Sequence, residues 1–526
     1  MSTSVDARLE SGRSPDLSRL VATATREHPA TPLFADDGWP EQPGPVRDVA
    51  SFHAAVEHLA GRLWAAGVRP RQVVAVVLPN HPRVQLAAFA LHRLGAVPAL
   101  LAASMPAEHL VESVAALHPA WTLVDSGEDA PGNAADNAAD NAPQGSAPEP
   151  APGVLDLLGA HTRLLRRADL PAPAAFPVGA LNPHEVALIT HTSGTTAAPK
   201  LVAHSSASIH EHAAPQVRLM LEFGADRLAV KAISCAHARA TSALITALVV
   251  GQPLAFATDD RPEAVAALLA LLRPHSLEAH PNTYLRWEPI ADLPDRPLAS
   301  VARFSSTFDA IHPRTVRRLL SGTDVPDAFF LQAYGQTETG PVAARAMTRE
   351  DPLGHDTRVV GVPAEGREAR VVDEAGEPVP VGVAGHIEVR AVSRMVGYVG
   401  RESPGVEWWP MGDWGRLRAD GAIELLDRVV DRVPGVASAL ALEDALLDRF
   451  PELQEALVLP GARRGVRVVV VARPGASADR ALVGKAVEEL GATPEEVVAL
   501  APEDLPVTGS KKVRRHVLRG AVGGAR

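Results

Sequence analysis

The stretch LITHTSGTTAAPKLVAHS, Leu188 to Ser205, places a glycine, a cluster of hydroxyls and a lysine directly after an apolar run. The residues EVALIT read as a buried strand, so Thr190 to Lys200 is expected to form the loop that leaves it. There the hydroxyls of Thr192, Ser193, Thr195 and Thr196, the backbone N–H groups freed by Gly194 and the ammonium of Lys200 would make a cradle for phosphate oxygens. This is not the nucleotide-hydrolase P-loop, because Pro199 precedes the lysine and Leu201 follows it where Gly and Ser or Thr are required. Taken alone, the segment can also be a Ser/Thr-rich surface turn. Further along, AYGQTETGP offers Thr337 as another phosphate hydroxyl and Glu338 as a hard oxygen ligand suited to Mg2+. WPMGDWGRL sets Asp413 in a glycine-flanked turn, where a carboxylate can accept from both hydroxyls of a ribose. Arg428 in LLDRVVDRV, and Lys511 with Lys512 in LPVTGSKKVRRHVLR, add cations. Separately these residues read as a solvated acid, a turn aspartate and a basic tail; together and in this order they point to a nucleotide.

The elements that must hold these residues alternate. FHAAVEHLAGRLWAAG has helical spacing, QVVAVVLPN is a buried-strand run, and VQLAAFALHRLGAVPALL is a helix leading into another strand. Such alternation predicts a layered α/β fold. Ser126 to Gly153 repeats AADN and lacks bulky apolar residues, so it is expected to be a mobile surface insertion. LITALVVGQPLAFA and PEAVAALLALLRPHSLEAH resume the alternation, whereas REARVVDEAGEPVPVGVAGHIEVRA predicts a β-rich subdomain. From about Val429, ALALEDALLDRF, GVRVVVVARP and RALVGKAVEEL suffice for a small α+β domain. The expected organisation is an N-terminal domain over residues 1–428 and a C-terminal lid over 429–526.

A chain of 526 residues predicts two to four domains, and a net charge of −11 argues against general attraction to nucleic acid or anionic membranes. Small-molecule partners are expected, and nothing in the sequence fixes an oligomeric state. The single cysteine, Cys235, excludes an internal disulfide framework and a multi-cysteine zinc site, which suits a reducing cytoplasm. No stretch is apolar enough for a signal peptide or a membrane span, so a cytoplasmic location is expected.

In the same order and at comparable spacing, these segments resemble the adenylate-forming superfamily of acyl-CoA synthetases, peptide-synthetase adenylation domains and luciferases. The resemblance covers nearly the whole chain, including RVQLAAFALHRLGAVPALL and GHIEVRA with MVGYVG. It implies that the T-S-G-T-T-x-x-P-K loop embraces the ATP phosphates, with Lys200 as its cation. It implies that Tyr334 stacks on adenine, Thr337 contacts phosphate, Glu338 holds Mg2+ and Asp413 binds ribose. Arg428 matches the arginine before the interdomain hinge, and Lys512 the mobile catalytic lysine, with Lys511 replacing a glycine.

The chain also departs from the family pattern. Ala197 and Leu201 replace loop glycines, which predicts a stiffer phosphate loop. Val430 stands where the hinge Asp or Lys is usual, and DRVPGVASALALEDALL replaces a polar, glycine-rich thioester-forming loop; this puts CoA as acceptor in doubt. SSTFDAIH sets Thr307, Phe308 and Asp309 at the adenine and substrate turn, while His237 and Arg239 fall at the pocket helix. Arg239 would recognise an anion and Asp309 would accept from an amine; otherwise Arg239 is solvated and Asp309 caps the PRTVRRLL helix. The expected function is adenylation of a small aryl or acyl carboxylate with loss of pyrophosphate, then transfer to CoA or an amine. The alternatives are a nitrite-activating diazotase acting on an arylamine and a nucleotide-binding regulator without catalysis.

Overall fold

The computed structural model describes residues 16–125, 152–192, 199–307, 310–351, 358–402, 405–463, 465–473, 475–506 and 513–521. Three sheets organise them. In the seven-stranded sheet, Val73–Leu78 and Val97–Ala102 run parallel at the centre, flanked by Trp121–Val124 on one side and Val186–His191 on the other. The twelve-stranded sheet is parallel from Leu33–Ala35 through Leu254–Phe256, Ala229–Ala232, Ser276–Ala279 and Arg303–Ser306 to Phe329–Gln336. From Gly340–Met347 onward it is antiparallel. The β-rich texture predicted around residues 367–391 is thus real, but its strands continue the parallel sheet.

Helices Val49–Ala65, Arg83–Arg93 and Ala238–Val250 pack between the two large sheets, sharing one core with Val76, Leu100, Leu254 and Phe256. Their starts are specified locally: Asp48 and Ser51 form a reciprocal capping box at the first, and His237 caps the third. The outer face of each sheet is covered in turn. Ala107–Leu117 lies against Ala75, Val77 and Ala99, while Pro262–Leu272 and Pro313–Ser321 cover Leu277, Phe304 and Phe330. The outcome is alternating layers of helix and sheet, as the sequence pattern requires. Of the Ser126–Gly153 insertion, residues 126–151 lie outside the described residues, and its last two positions open the Pro152–Gly159 helix.

The third sheet, Leu453–Pro460, Val466–Ala472 and Pro494–Leu500, is backed by helices Ala439–Arg449 and Arg480–Glu489 around its own core. It meets the rest of the chain through buried charge. His312 Nδ1 donates to Asp444 at 2.7 Å and its Nε2 lies 3.4 Å from Glu455; Arg358 also reaches Asp444, at 2.7 Å. Arg314 donates to the carbonyls of Leu447 and Leu453. Burial alone would push the His312 imidazole down, but the hydrogen bonds and charges of Asp444 and Glu455 outweigh it and raise its pKa to about 10. Because the folded value lies above the unfolded one, this stabilisation is complete below about pH 6.5 and is lost as the pH climbs through about 10. Between pH 7 and 10 the wild type should therefore lose on the order of a few kcal/mol that a His312→Gln variant never had. Urea unfolding at both pH values checks this; equal pH slopes in the two proteins would refute it.

Candidate active site

One cavity of about 1170 Å3 opens between the large sheets' C-terminal strand ends and the third sheet. Thr192 and Lys200 line it and stand at the two ends of the loop expected to hold phosphate. The Thr192 N–H donates to the Lys200 carbonyl and the Lys200 N–H to Thr192 Oγ1, both at 3.0 Å, so the strands Val186–His191 and Leu201–Ser205 clamp the loop's neck. Ser193, Gly194, Thr195 and Thr196 lie outside the described residues. The Lys200 ammonium sits 5.0 Å from the centre of the Tyr398 ring.

The Tyr334–Glu338 segment forms the hairpin between Phe329–Gln336 and Gly340–Met347. Gly335 and Gly340 are required there: a Cβ on Gly335 would lie 2.1 Å from the Gly340 carbonyl oxygen, and one on Gly340, at φ +67°, would strike the His212 ring. Thr337 and Glu338 are thereby held buried at the cavity wall. Tyr398 donates to Glu338 Oε1 at 2.7 Å, and the second carboxylate oxygen has no protein partner among the described residues. No cluster of three or more His, Cys, Asp or Glu able to hold a metal occurs among those residues. A single carboxylate with a free oxygen suits Mg2+, which keeps waters and substrate phosphates for its remaining positions.

Asp413 differs from its expected setting. It lies within the strand Trp409–Leu417 and pairs with Arg428 on one side, while on the other the register with Gly385–Ala391 is interrupted between His386 and Glu388; Gly412 at φ +72° and a register shift at Trp414 and Gly415 absorb the backbone irregularity. Its Oδ2 accepts from the Tyr334 hydroxyl at 2.7 Å, and it stands directly opposite Arg428 in the adjacent strand. Burial, reinforced by Asp413, raises the Tyr334 phenol well above its ordinary range, so it remains a neutral donor. Tyr334, Asp413 and Arg428 therefore come together on one wall.

In the inner arm, His237 Nδ1 accepts from the Arg239 N–H and fixes the start of the pocket helix. Arg239 is not solvated. It grips Glu278 with two bonds of 2.7 and 2.6 Å and also reaches Gln216. Lys231 shares the same carboxylate at 2.5 Å. Burial alone would raise the Glu278 pKa, yet Arg239 and Lys231 hold it down at about 2, and burial brings Lys231 down to about 8. Thr307 lines the cavity with its hydroxyl unpaired, whereas Phe308 and Asp309 lie outside the described residues. His312, not Asp309, is the residue preceding the Pro313–Ser321 helix. Lys511 and Lys512 also lie outside the described residues; Val513 and Arg514, next in sequence, border the cavity.

Lys231, Glu278 and Arg303 were not singled out from the sequence. Their signal is a charge inside an otherwise apolar parallel strand, as in LAVKA, SLEA and ARFSS.

The chain belongs to the AMP-binding enzyme family, whose model matches residues 48–399. It is 36% identical to the 3-amino-2-hydroxy-4-methoxybenzoate diazotase of Streptomyces cremeus, an alignment that covers 99% of this chain and 98% of that protein. It is 27% identical to a feruloyl-CoA synthase from an Amycolatopsis species over 74% of this chain and 75% of that one. Its fold is shared with ATP-bound MatB from Rhodopseudomonas palustris, at a TM-score of 0.76 and 22% identity over 96% of this chain and 99% of that one. The adenylate-forming, ligase-like assignment drawn from the motifs is thus established. No helix among the described residues is long and apolar enough to cross a membrane.

Proposed function

We propose that this AMP-binding enzyme uses ATP to adenylate a small aryl or acyl oxyanion, releasing pyrophosphate, before transfer to an acceptor. The observation that carries the reading is the single cavity in which the nucleotide set, Thr192, Lys200, Tyr334, Thr337, Glu338 and Asp413, adjoins the inner arm behind His237. Asp413 would hold the ribose, the phosphate loop and Lys200 the polyphosphate, and Thr337 the α-phosphate. Glu338 would hold Mg2+, which when bound neutralises charge on the phosphates. The protein's task is to place the oxyanion in line with the leaving pyrophosphate and to screen the equatorial oxygens. Arg428 and Lys512 would complete that screening as residues 429–526 close over the site.

In the leading reading the oxyanion is a carboxylate. A second reading is favoured by the identity with a diazotase along nearly the whole chain: nitrite is adenylated and an arylamine is the acceptor. The region that replaces the usual thioester loop also favours an acceptor other than CoA. Asp427 accepts from the N–H groups of Ala439 and Leu440, and Arg519 donates to the Val430 carbonyl, so the segment after Arg428 is tied on both sides. A cytoplasmic setting without nucleic-acid partners fits the net charge of −11.

Purified protein with ATP and Mg2+ should yield AMP and pyrophosphate when given an aromatic carboxylate, or an aromatic amine with nitrite. Chromatography of the nucleotides checks this, and ADP as the main product would overturn it.

A further inference from the structure

Arg303 opens the strand Arg303–Ser306 and is 5% exposed, yet its Nε, Nη1 and Nη2 have no hydrogen-bond partner among the described residues. It borders the same cavity as the nucleotide set, at the opposite end of the parallel strands. The register fixes that placement. Arg303 stands between Ser276 and Phe329, and two residues further along the same face Ser305 stands between Glu278 and Leu331. Phe304 points to the other side, into the outer core. Along this strand and the residue after it, Thr307 is four positions from Arg303, roughly 13 Å at the ordinary strand rise, a span that the long arginine side chain shortens.

The charge count at this end is unbalanced. Lys231, Arg239 and Arg303 face one carboxylate, Glu278, and both oxygens of Glu278 are already taken by the first two. The group with an electrostatic effect on Arg303 is a further cation, Arg227; the neighbouring His275 is held down to about 4 by burial, Arg303 and Arg227, against the smaller opposing effect of the exposed Asp226, which leaves four cations to two carboxylates at this end. A buried guanidinium without hydrogen bonds is costly in a folded chain. A planar carboxylate answers its fork geometry with two parallel bonds. Phe329, Leu331 and Met220 supply apolar walls beside it.

We propose that Arg303 is an anion-recognition residue that binds a carboxylate on the aromatic substrate at the end remote from the reacting group. This rests on the reading of the inner arm as the substrate site. It gives the substrate a direction: the reacting group, whether an amine awaiting activated nitrite or a second carboxylate awaiting ATP, lies toward Thr307 and His237, and the recognised carboxylate lies beneath. Arg239, tied to Glu278, acts as a positioning residue that fixes the cationic floor.

Calorimetric titration of the full chain with 3-aminobenzoate and with its uncharged amide tests the assignment, with 3-aminocinnamate and its amide measuring the distance spanned. The wild type should bind at least one acid tenfold or more tightly than its amide. Arg303→Met should abolish that preference, Arg303→Lys should retain part of it, and ATP affinity should stay unchanged in both. Arg303→Met should also raise the melting temperature of the ligand-free protein, since an uncompensated buried charge is removed. Equal binding of acids and amides by the wild type would overturn the proposal without reliance on any variant, as would a preference that survives Arg303→Met. If the acids bind with this preference but no AMP forms from any of them, with or without nitrite, the adenylation reading fails while the anion site stands.

Discussion

Replacing Lys512 with alanine is expected to slow adenylation by roughly 100- to 1000-fold while ATP affinity hardly changes, the loss typical of one preorganised charge-stabilising donor. The reasoning combines position with timing. Val513 and Arg514 border the cavity, and the helix that follows is anchored by Arg515, which makes bonds of 2.6 and 2.7 Å to the two oxygens of Glu443. If, as proposed, residues 429–526 close over the site, a lysine just ahead of that anchor would meet the α-phosphate oxygens only then, and its contribution would belong to the transition state and not to the resting nucleotide complex. Lys511→Ala, one residue away, should cost less than tenfold, since the proposed register gives the catalytic position to Lys512 and puts Lys511 where a glycine is usual. Single-turnover adenylation beside ATP binding separates the two. Equal losses would show that the register of TGSKKVRR is misassigned, and unchanged rates would remove this segment from the chemistry.

Glu338→Gln should reduce AMP formation by about 100-fold at millimolar Mg2+, at or beyond the upper end of what losing an outer-shell partner costs a metal site. The amide keeps the shape and can still accept from Tyr398 but presents no anion to a hard cation. Much of the loss should return as Mg2+ is raised, because the defect is one of metal affinity. Tyr398→Phe removes the hydrogen bond and leaves the carboxylate, so its effect should stay within about tenfold. A Mg2+ titration identical for wild type and Glu338→Gln would contradict the metal role.

The layered alternation of strand and helix was legible because period and turn chemistry are local properties, and residues 73–102 folded as their pattern predicts. The motif carrying Tyr334, Thr337 and Glu338 was visible in the sequence, but the tight hairpin that holds them, with Gly335 and Gly340 at its close approach, was not read from it. Pairing between distant strands was not legible. GDWG reads as a turn in isolation, yet pairing with Arg428 on the neighbouring strand draws Asp413 into a sheet. Arg239 was expected to meet a substrate anion or water, but Glu278, 39 residues away on a different element, occupies it. Arg303 carried no motif. Its significance depends on which residues stand across from it in the register, and that is a property of the sheet.

If an oxyanion attacks the α-phosphate of ATP within this cavity, one of its oxygens passes to the AMP. Oxygen tracing tests it most directly. The enzyme is supplied with ATP and either 18O-labelled aromatic carboxylate or 18O-labelled nitrite with an aromatic amine, and the AMP released is analysed by mass spectrometry. One 18O atom in the AMP phosphate, from whichever oxyanion is the true substrate, is the predicted result. AMP that carries no label from either source, with its new oxygen drawn from water, would rule out attack by the oxyanion.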